Sequence, residues 1–193
     1  TMRQPLEDGV ITVSRVENTV EYPANFTLIA SMNPCPCGNY GSREKECKCT
    51  PAVIQKYLNK LSGPLMDRID MHIEVDSVKY LDLKSERLEE DSKSVKARVD
   101  KARAIQLKRF AGTNIFSNSK MTDSMVKKYC KLTDTGDMML ESAFENLGLS
   151  ARAYNRILKV ARTIADLEGE ENVLDEHIIE AISYRSLDKK YWN

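Results

Sequence analysis

All six prolines of this 193-residue chain lie between Pro5 and Pro64, and none follows. Proline fixes φ, removes a donor N–H and breaks a helix interior. The long proline-free remainder is therefore free to be helical, while the first third must be turn-rich. Composition shifts at the same place. Up to about Ser77 there are strand-like runs and turn residues, and beyond it the chain is Lys/Glu-rich with apolar residues at helical spacing. The pattern predicts a mixed α/β piece over 1–77, a linker over 78–85 and an all-helical piece over 86–193.

In the first piece, 10–15 and 19–22 are β-rich and flank Val16-Glu17-Asn18, which predicts a hairpin ending at Pro23. The apolar run 26–32 predicts a buried strand of a parallel sheet, and the alternating run 71–75 predicts another. Thr50-Pro51 is a helix start with proline at the first helical position, and that helix should run to about Leu61. In the second piece the spacing predicts helices at about 86–110, 122–131, 136–147, 150–168 and 175–184. The fourth is the clearest. Ala153, Ile157, Val160, Ala161 and Ile164 form one stripe, Ser150 is a candidate N-cap with Leu149 placed to staple against Tyr154, and Gly169 stands just past the end.

With 41% hydrophobic and 30% charged residues, a core is possible and wholesale disorder is excluded. The 29 basic and 29 acidic residues cancel, which excludes a generally polybasic nucleic-acid binder but not a local basic face. No apolar run approaches the roughly 18 residues of a membrane span, and no leader pattern is present. The expectation is a cytoplasmic protein without membrane partners. The abrupt opening Thr1-Met2-Arg3-Gln4-Pro5 suggests a piece of a longer chain.

Four of the five cysteines cluster as Cys35-Pro36-Cys37 and Cys47-Lys48-Cys49. Paired thiols with nearby Gly38, Gly41 and prolines suit a knuckle around a structural zinc closed by four thiolates. Disulfides and four plain reduced thiols are the alternatives. Disulfides are disfavoured in the cytosol. Cys130, between Tyr129 and Leu132, reads as a core residue. His72 and His177 have no catalytic or metal-binding pattern and read as structural.

Four strings occur in order along nearly the whole chain: Arg3-Gln4-Pro5-Leu6-Glu7-Asp8-Gly9; Ala30-Ser31-Met32-Asn33-Pro34-Cys35-Pro36-Cys37-Gly38; Ser62-Gly63-Pro64-Leu65-Met66-Asp67-Arg68-Ile69-Asp70; and Leu149-Ser150-Ala151-Arg152-Ala153-Tyr154-Asn155-Arg156-Ile157 with its continuation to Leu167. Together they resemble the magnesium-chelatase-like AAA+ ATPases, and the cysteine pairs look like those of the bacterial ComM/YifB group. The resemblance implies the C-terminal part of an AAA+ α/β core followed by a helical lid. It implies ATP and Mg2+ as cofactors of the full-length protein, a ring oligomer, hexameric in that family, and DNA as partner. The 193 residues contain no G-x-x-x-x-G-K-[ST] phosphate loop and no Walker B strand, so the chain alone should not hydrolyse ATP.

By this resemblance Asn33 is the sensor 1 residue that orients the attacking water, and Arg68 is an arginine finger reaching a neighbour's nucleotide. Without it, Asn33 reads as a turn residue before proline, and Arg68 as a surface cation paired with Asp67 or Asp70. Arg152 falls in the first turn of a helix, where the dipole disfavours a cation and favours an anion. By resemblance it is sensor 2, and Arg156 or Lys159 on the same face shares the role or is merely solvated. Arg15 is the basic side chain of a hairpin resembling those that grip DNA in ring motors, and a purely structural hairpin is the alternative. The segment 86–110 begins acidic and continues basic, which complements the helix dipole. A DNA-facing patch is the sharper reading. The readings carried forward are a helicase or branch-migration motor, a chelatase-like ATPase serving tetrapyrrole metallation, and a non-enzymatic zinc-bearing interaction module.

Overall fold

The computed structural model describes residues 2–15, 18–42, 44–75, 78, 84 and 90–187. They fall into two compact units, one before Asp70 and one from Asp70 onward. The division comes earlier in the chain than the composition shift near Ser77. Asp70 is held by Arg156, and the N–H of His72 donates to the carbonyl of Tyr184 at 2.8 Å, so this segment belongs to the helical unit. Most of the expected 78–85 linker lies outside the described residues.

The first unit opens with a short helix α1 (Arg3–Asp8) and passes through Gly9 into β1 (Val10–Ser14). β1 pairs antiparallel with β2 (Thr19–Pro23), with Ile11 opposite Tyr22 and Val13 opposite Val20. The tip is closed twice, by the N–H of Arg15 on the carbonyl of Asn18 and the reverse, at 2.9 and 3.2 Å. Side chains alternate across a strand, so Ile11, Val13, Val20 and Tyr22 share one face. All four are exposed. Helix α2 (Pro51–Leu58) starts where Thr50-Pro51 predicts it, and α3 (Gly63–Met66) follows. The guanidinium of Arg3 donates to Ser62 Oγ at 2.9 Å, joining α1 to the start of α3.

Two expected strands do not form. Residues 26–32 carry no strand and are exposed throughout, with Ile29 91% exposed, and 71–75 likewise have no ladder. A parallel strand exists only through neighbours on its edges. Among the described residues, the two-stranded sheet of β1 and β2 offers these runs no partner. Among the described residues the chain is mixed α/β in content, with a two-stranded antiparallel sheet and no parallel pair.

The second unit is helical: α4 (Ser92–Arg109), a 3-10 turn (Asn118–Lys120), α5 (Asp123–Tyr129), α6 (Asp134–Leu147), α7 (Ala151–Glu168) and α8 (Asp175–Ser183). Four of the starts are capped by side-chain oxygens: Asp91, Thr122, Thr133 and Ser150 accept from the N–H of Ser94, Met125, Gly136 and Ala153. Each cap satisfies a donor that the first turn leaves orphaned. α4 starts later than the charge pattern suggested. Asp91 is the cap, Glu90 precedes it, and 86–89 lie outside the described residues. Gly169 ends α7 at φ 84°, a left-handed position that suits glycine. The core is built around α7, whose Ala153, Ile157, Ala161 and Ile164 pack with Phe110, Val126, Leu140 and Ile178. Phe110 meets Tyr129 edge-on, with centroids 5.7 Å apart.

Candidate functional sites

The turn Cys35-Pro36-Cys37-Gly38 is closed by the N–H of Gly38 on the carbonyl of Cys35 at 3.0 Å. Gly38 has φ +80°, which lets the chain reverse so tightly. This brings the Sγ atoms of Cys35 and Cys37 to 3.3 Å, with Cys47 Sγ 3.7 and 3.6 Å from them. All four thiols, Cys49 included, lie within 4.8 Å of one another. These separations exceed a disulfide bond of about 2.05 Å, and all five cysteines are free. They are close to the edge of a tetrahedron of sulfurs around zinc, about 3.8 Å for Zn–S bonds of about 2.3 Å. The backbone N–H groups of Asn39 and then Lys48 stabilise the Cys37 thiolate and bring its pKa down to about 6. The donor set thus fits a four-thiolate metal centre with N–H support around it.

Asn33 stands two residues before Cys35, exposed on the chain that enters the knuckle. Its side chain lies against the turn, 4.0 Å from where a Cβ on Gly38 would be. Arg68 is largely withdrawn from solvent and pairs with Glu7, not with Asp67 or Asp70, and also donates to the carbonyl of Pro64. Arg15 is exposed at the hairpin tip.

In the second unit Arg152 occupies the first turn of α7, exposed beside the Ser150 cap. Arg156 is not a solvated cation, since it binds the carboxylate of Asp70. Nor is Lys159, whose ammonium donates to the carbonyl of Ser119 at 3.1 Å and whose pKa is lowered, first by burial. On α4, Lys96 pairs with Asp100, Arg98 with Glu90 and Arg109 with Asp166, while Lys93, Lys101 and Lys108 are exposed.

Sequence reasoning did not anticipate the polar hub around Asp166. Its buried carboxylate accepts both guanidinium nitrogens of Arg109, the Nδ2 of Asn118 at 2.8 Å and the Nε of Arg162 at 3.2 Å. Arg162 also donates to the carbonyls of Glu170 and Glu171 at 2.6 and 2.8 Å, satisfying groups just past the end of α7. The i,i+4 spacing of Arg162 and Asp166 was a readable signal, whereas Arg109 lies 57 residues away. His177 is structural. Its Nδ1 accepts from the N–H of Leu174 and its Nε2 meets Glu168, both at 2.9 Å, so no ring nitrogen is left for a metal despite Glu168 and Glu176 nearby. Cys130 is buried, and burial raises its pKa to about 11.

A cavity of about 460 Å3 opens between α5, α6 and α7, with Asp123, Asp134 and Asp137 on its wall. None of the expected site residues lines it. Three carboxylates against the one cation Lys127 on its wall disfavour a phosphate there.

Comparison with known proteins gives the class. The family described as Magnesium chelatase, subunit ChlI, matches residues 1–83, and Magnesium chelatase, subunit ChlI C-terminal, matches residues 89–185. The chain belongs to this magnesium-chelatase-like family. It is similar to Competence protein ComM of Haemophilus influenzae, 43% identical over 187 residues, which cover 96% of this chain and 36% of that protein. YifB of Escherichia coli and YifB of Salmonella typhimurium are each 40% identical over 189 residues. The chain spans about a third of the length of the curated relatives it matches, 36% in each case.

Proposed function

We propose that this chain is the C-terminal part of an AAA+ ATPase, working as a ring-shaped, hexameric DNA helicase or branch-migration motor in DNA uptake and recombination. The observation that carries the reading is the pair of consecutive matches to both ChlI segments, joined to 43% identity with a protein named for competence. In this reading ATP and Mg2+ bind between subunits, and the phosphate loop comes from the part of the parent protein beyond this chain. Asn33 orients the attacking water, Arg68 reaches the neighbour's γ-phosphate from its seat on Glu7, and Arg152 steadies the phosphates at the start of α7. Arg156 acts through its pairing with Asp70 rather than as a free phosphate ligand. Arg15 at the hairpin tip contacts the DNA backbone. Cys35, Cys37, Cys47 and Cys49 hold one structural zinc, which when bound supplies a cross-link between the two cysteine pairs.

The test uses the full-length parent protein. ATP turnover should rise with branched DNA and fall by about two orders of magnitude or more in Arg68→Ala, the range for removing an arginine finger or one oxyanion donor. Elemental analysis should find one zinc per chain, lost in Cys37→Ser. Turnover indifferent to DNA would favour the chelatase-like reading that the family description itself suggests, and no turnover would leave the interaction module.

A further inference from the structure

The candidate water-orienting residue and the candidate metal knuckle are one mechanical piece. Asn33, Pro34 and Cys35 are consecutive, and Cys35 is the one fully buried thiol of the four. Proline at 34 has a fixed φ and restricts Asn33 to extended backbone, so the link between the side chain and the first thiol has little slack. The second link is through space. The turn that presents Cys35 and Cys37 puts Gly38 beneath Asn33, with the Asn33 Cγ 4.0 Å from the site of a Gly38 Cβ. Among the described residues no hydrogen bond or ion pair holds the Asn33 side chain, and it lies on an exposed stretch with no strand ladder to fix it.

We propose that the four-cysteine knuckle aims the Asn33 carboxamide, so that metal loading sets the rate of the hydrolytic step while leaving nucleotide affinity unchanged. This rests on the reading of the cysteines as a zinc site and of Asn33 as a water-orienting residue. The Sγ atoms of Cys35, Cys37 and Cys47 stand 3.3–3.7 Å apart, and all four thiols lie within 4.8 Å of one another, a spacing that one cation would hold together. When the metal leaves, Cys35 and the turn at Gly38 lose their anchor, so the short link to Asn33 and the turn beneath it no longer fix the carboxamide. Pro34 and Gly38 are then positioning residues, and the cysteines act on the reaction only through Asn33.

The first experiment uses this 193-residue chain, isotope-labelled, reduced and metal-free. Zinc chloride is titrated while the side-chain amide of Asn33 is followed by NMR, with Asn146, bonded to Ser142 on α6, as reference. The expected result is a shift of the Asn33 amide that saturates at one equivalent, together with exchange protection of the Gly38 N–H, and no change at Asn146. Binding of one equivalent with Gly38 protected and Asn33 unmoved overturns the coupling but keeps the zinc site. Absence of stoichiometric binding overturns both.

The second experiment uses the full-length protein. Cys37→Ser should lower kcat about tenfold or more with KM for ATP within about twofold, and combined with Asn33→Ala it should be no worse than Asn33→Ala alone. Additive losses, or a rise in KM that matches the fall in kcat, overturn the proposal. If Asn33→Ala itself leaves turnover intact, it is the reading of Asn33 that fails, and the NMR result on the knuckle stands separately.

Discussion

Asp166 accepts hydrogen bonds from Arg109, Asn118 and Arg162 while buried to 1% exposure, and this concentration of charge is the main polar commitment of the helical unit. Removing one partner of a buried ionic cluster leaves the others uncompensated. Asp166→Asn keeps the shape but strands two guanidinium groups, so it should cost about 3–5 kcal/mol in urea unfolding. A loss under about 1 kcal/mol would mean that the hub is solvated. Arg68 shows the same logic on a smaller scale. Its sequence neighbours Asp67 and Asp70 were the obvious partners, yet Glu7 takes it, 61 residues away.

At the scale of elements, the N-cap of α4 carries a pH dependence. Hydrogen bonds from Ser94, side chain first and backbone second, lower the pKa of Asp91 below the ordinary carboxyl value. A carboxyl with a depressed folded-state pKa contributes stability above its unfolded value, about 3.9, and loses it as pH falls through the lowered value. Amide-exchange protection at Ser94 should therefore be flat from neutral pH down to about 4 and drop below it, and Asp91→Asn should abolish the step. A step centred near pH 6 would contradict the cap as the cause. The Ser150 cap and the α7 stripe were legible in the sequence because their causes are local: a Ser three residues before the N–H it accepts, and apolar residues one turn apart. The hairpin was legible for the same reason. Residues 26–32 were not. Their apolar run describes a strand's interior correctly, but a strand is also defined by its neighbours, and among the described residues none is present. The cysteine pairs could be read as a metal knuckle, whereas Glu7 for Arg68, Asp70 for Arg156 and Arg109 for Asp166 come from distant sequence and left no local trace.

For the whole molecule, the two units are unequal in what they bury. The unit from Asp70 onward has a core drawn from α5, α6, α7 and α8 with Phe110 beside it. The first unit buries only Pro5, Cys35, Leu58 and Met66 among its described residues, while Ile11, Val13, Val20, Tyr22, Phe26 and Ile29 are exposed. Apolar burial is the dominant favourable term in folding. A segment covering 70–193 should therefore fold alone, with helical circular dichroism and one cooperative urea transition, and a segment covering 1–69 cut from it should not. Cooperative unfolding of metal-free 1–69 would show that its hairpin and turns suffice. The exposed apolar face of the hairpin and the run 26–32 are both consistent with the chain being about a third of the length of its relatives.

Asp166 fastens α4, the Asn118 turn and α7 at a single point. Fourteen residues separate it from Arg152, about 21 Å along the helix axis at 1.5 Å per residue. Packed along its length against the core, α7 carries Arg152 at one end of a stiff rod whose other end is fastened at Asp166.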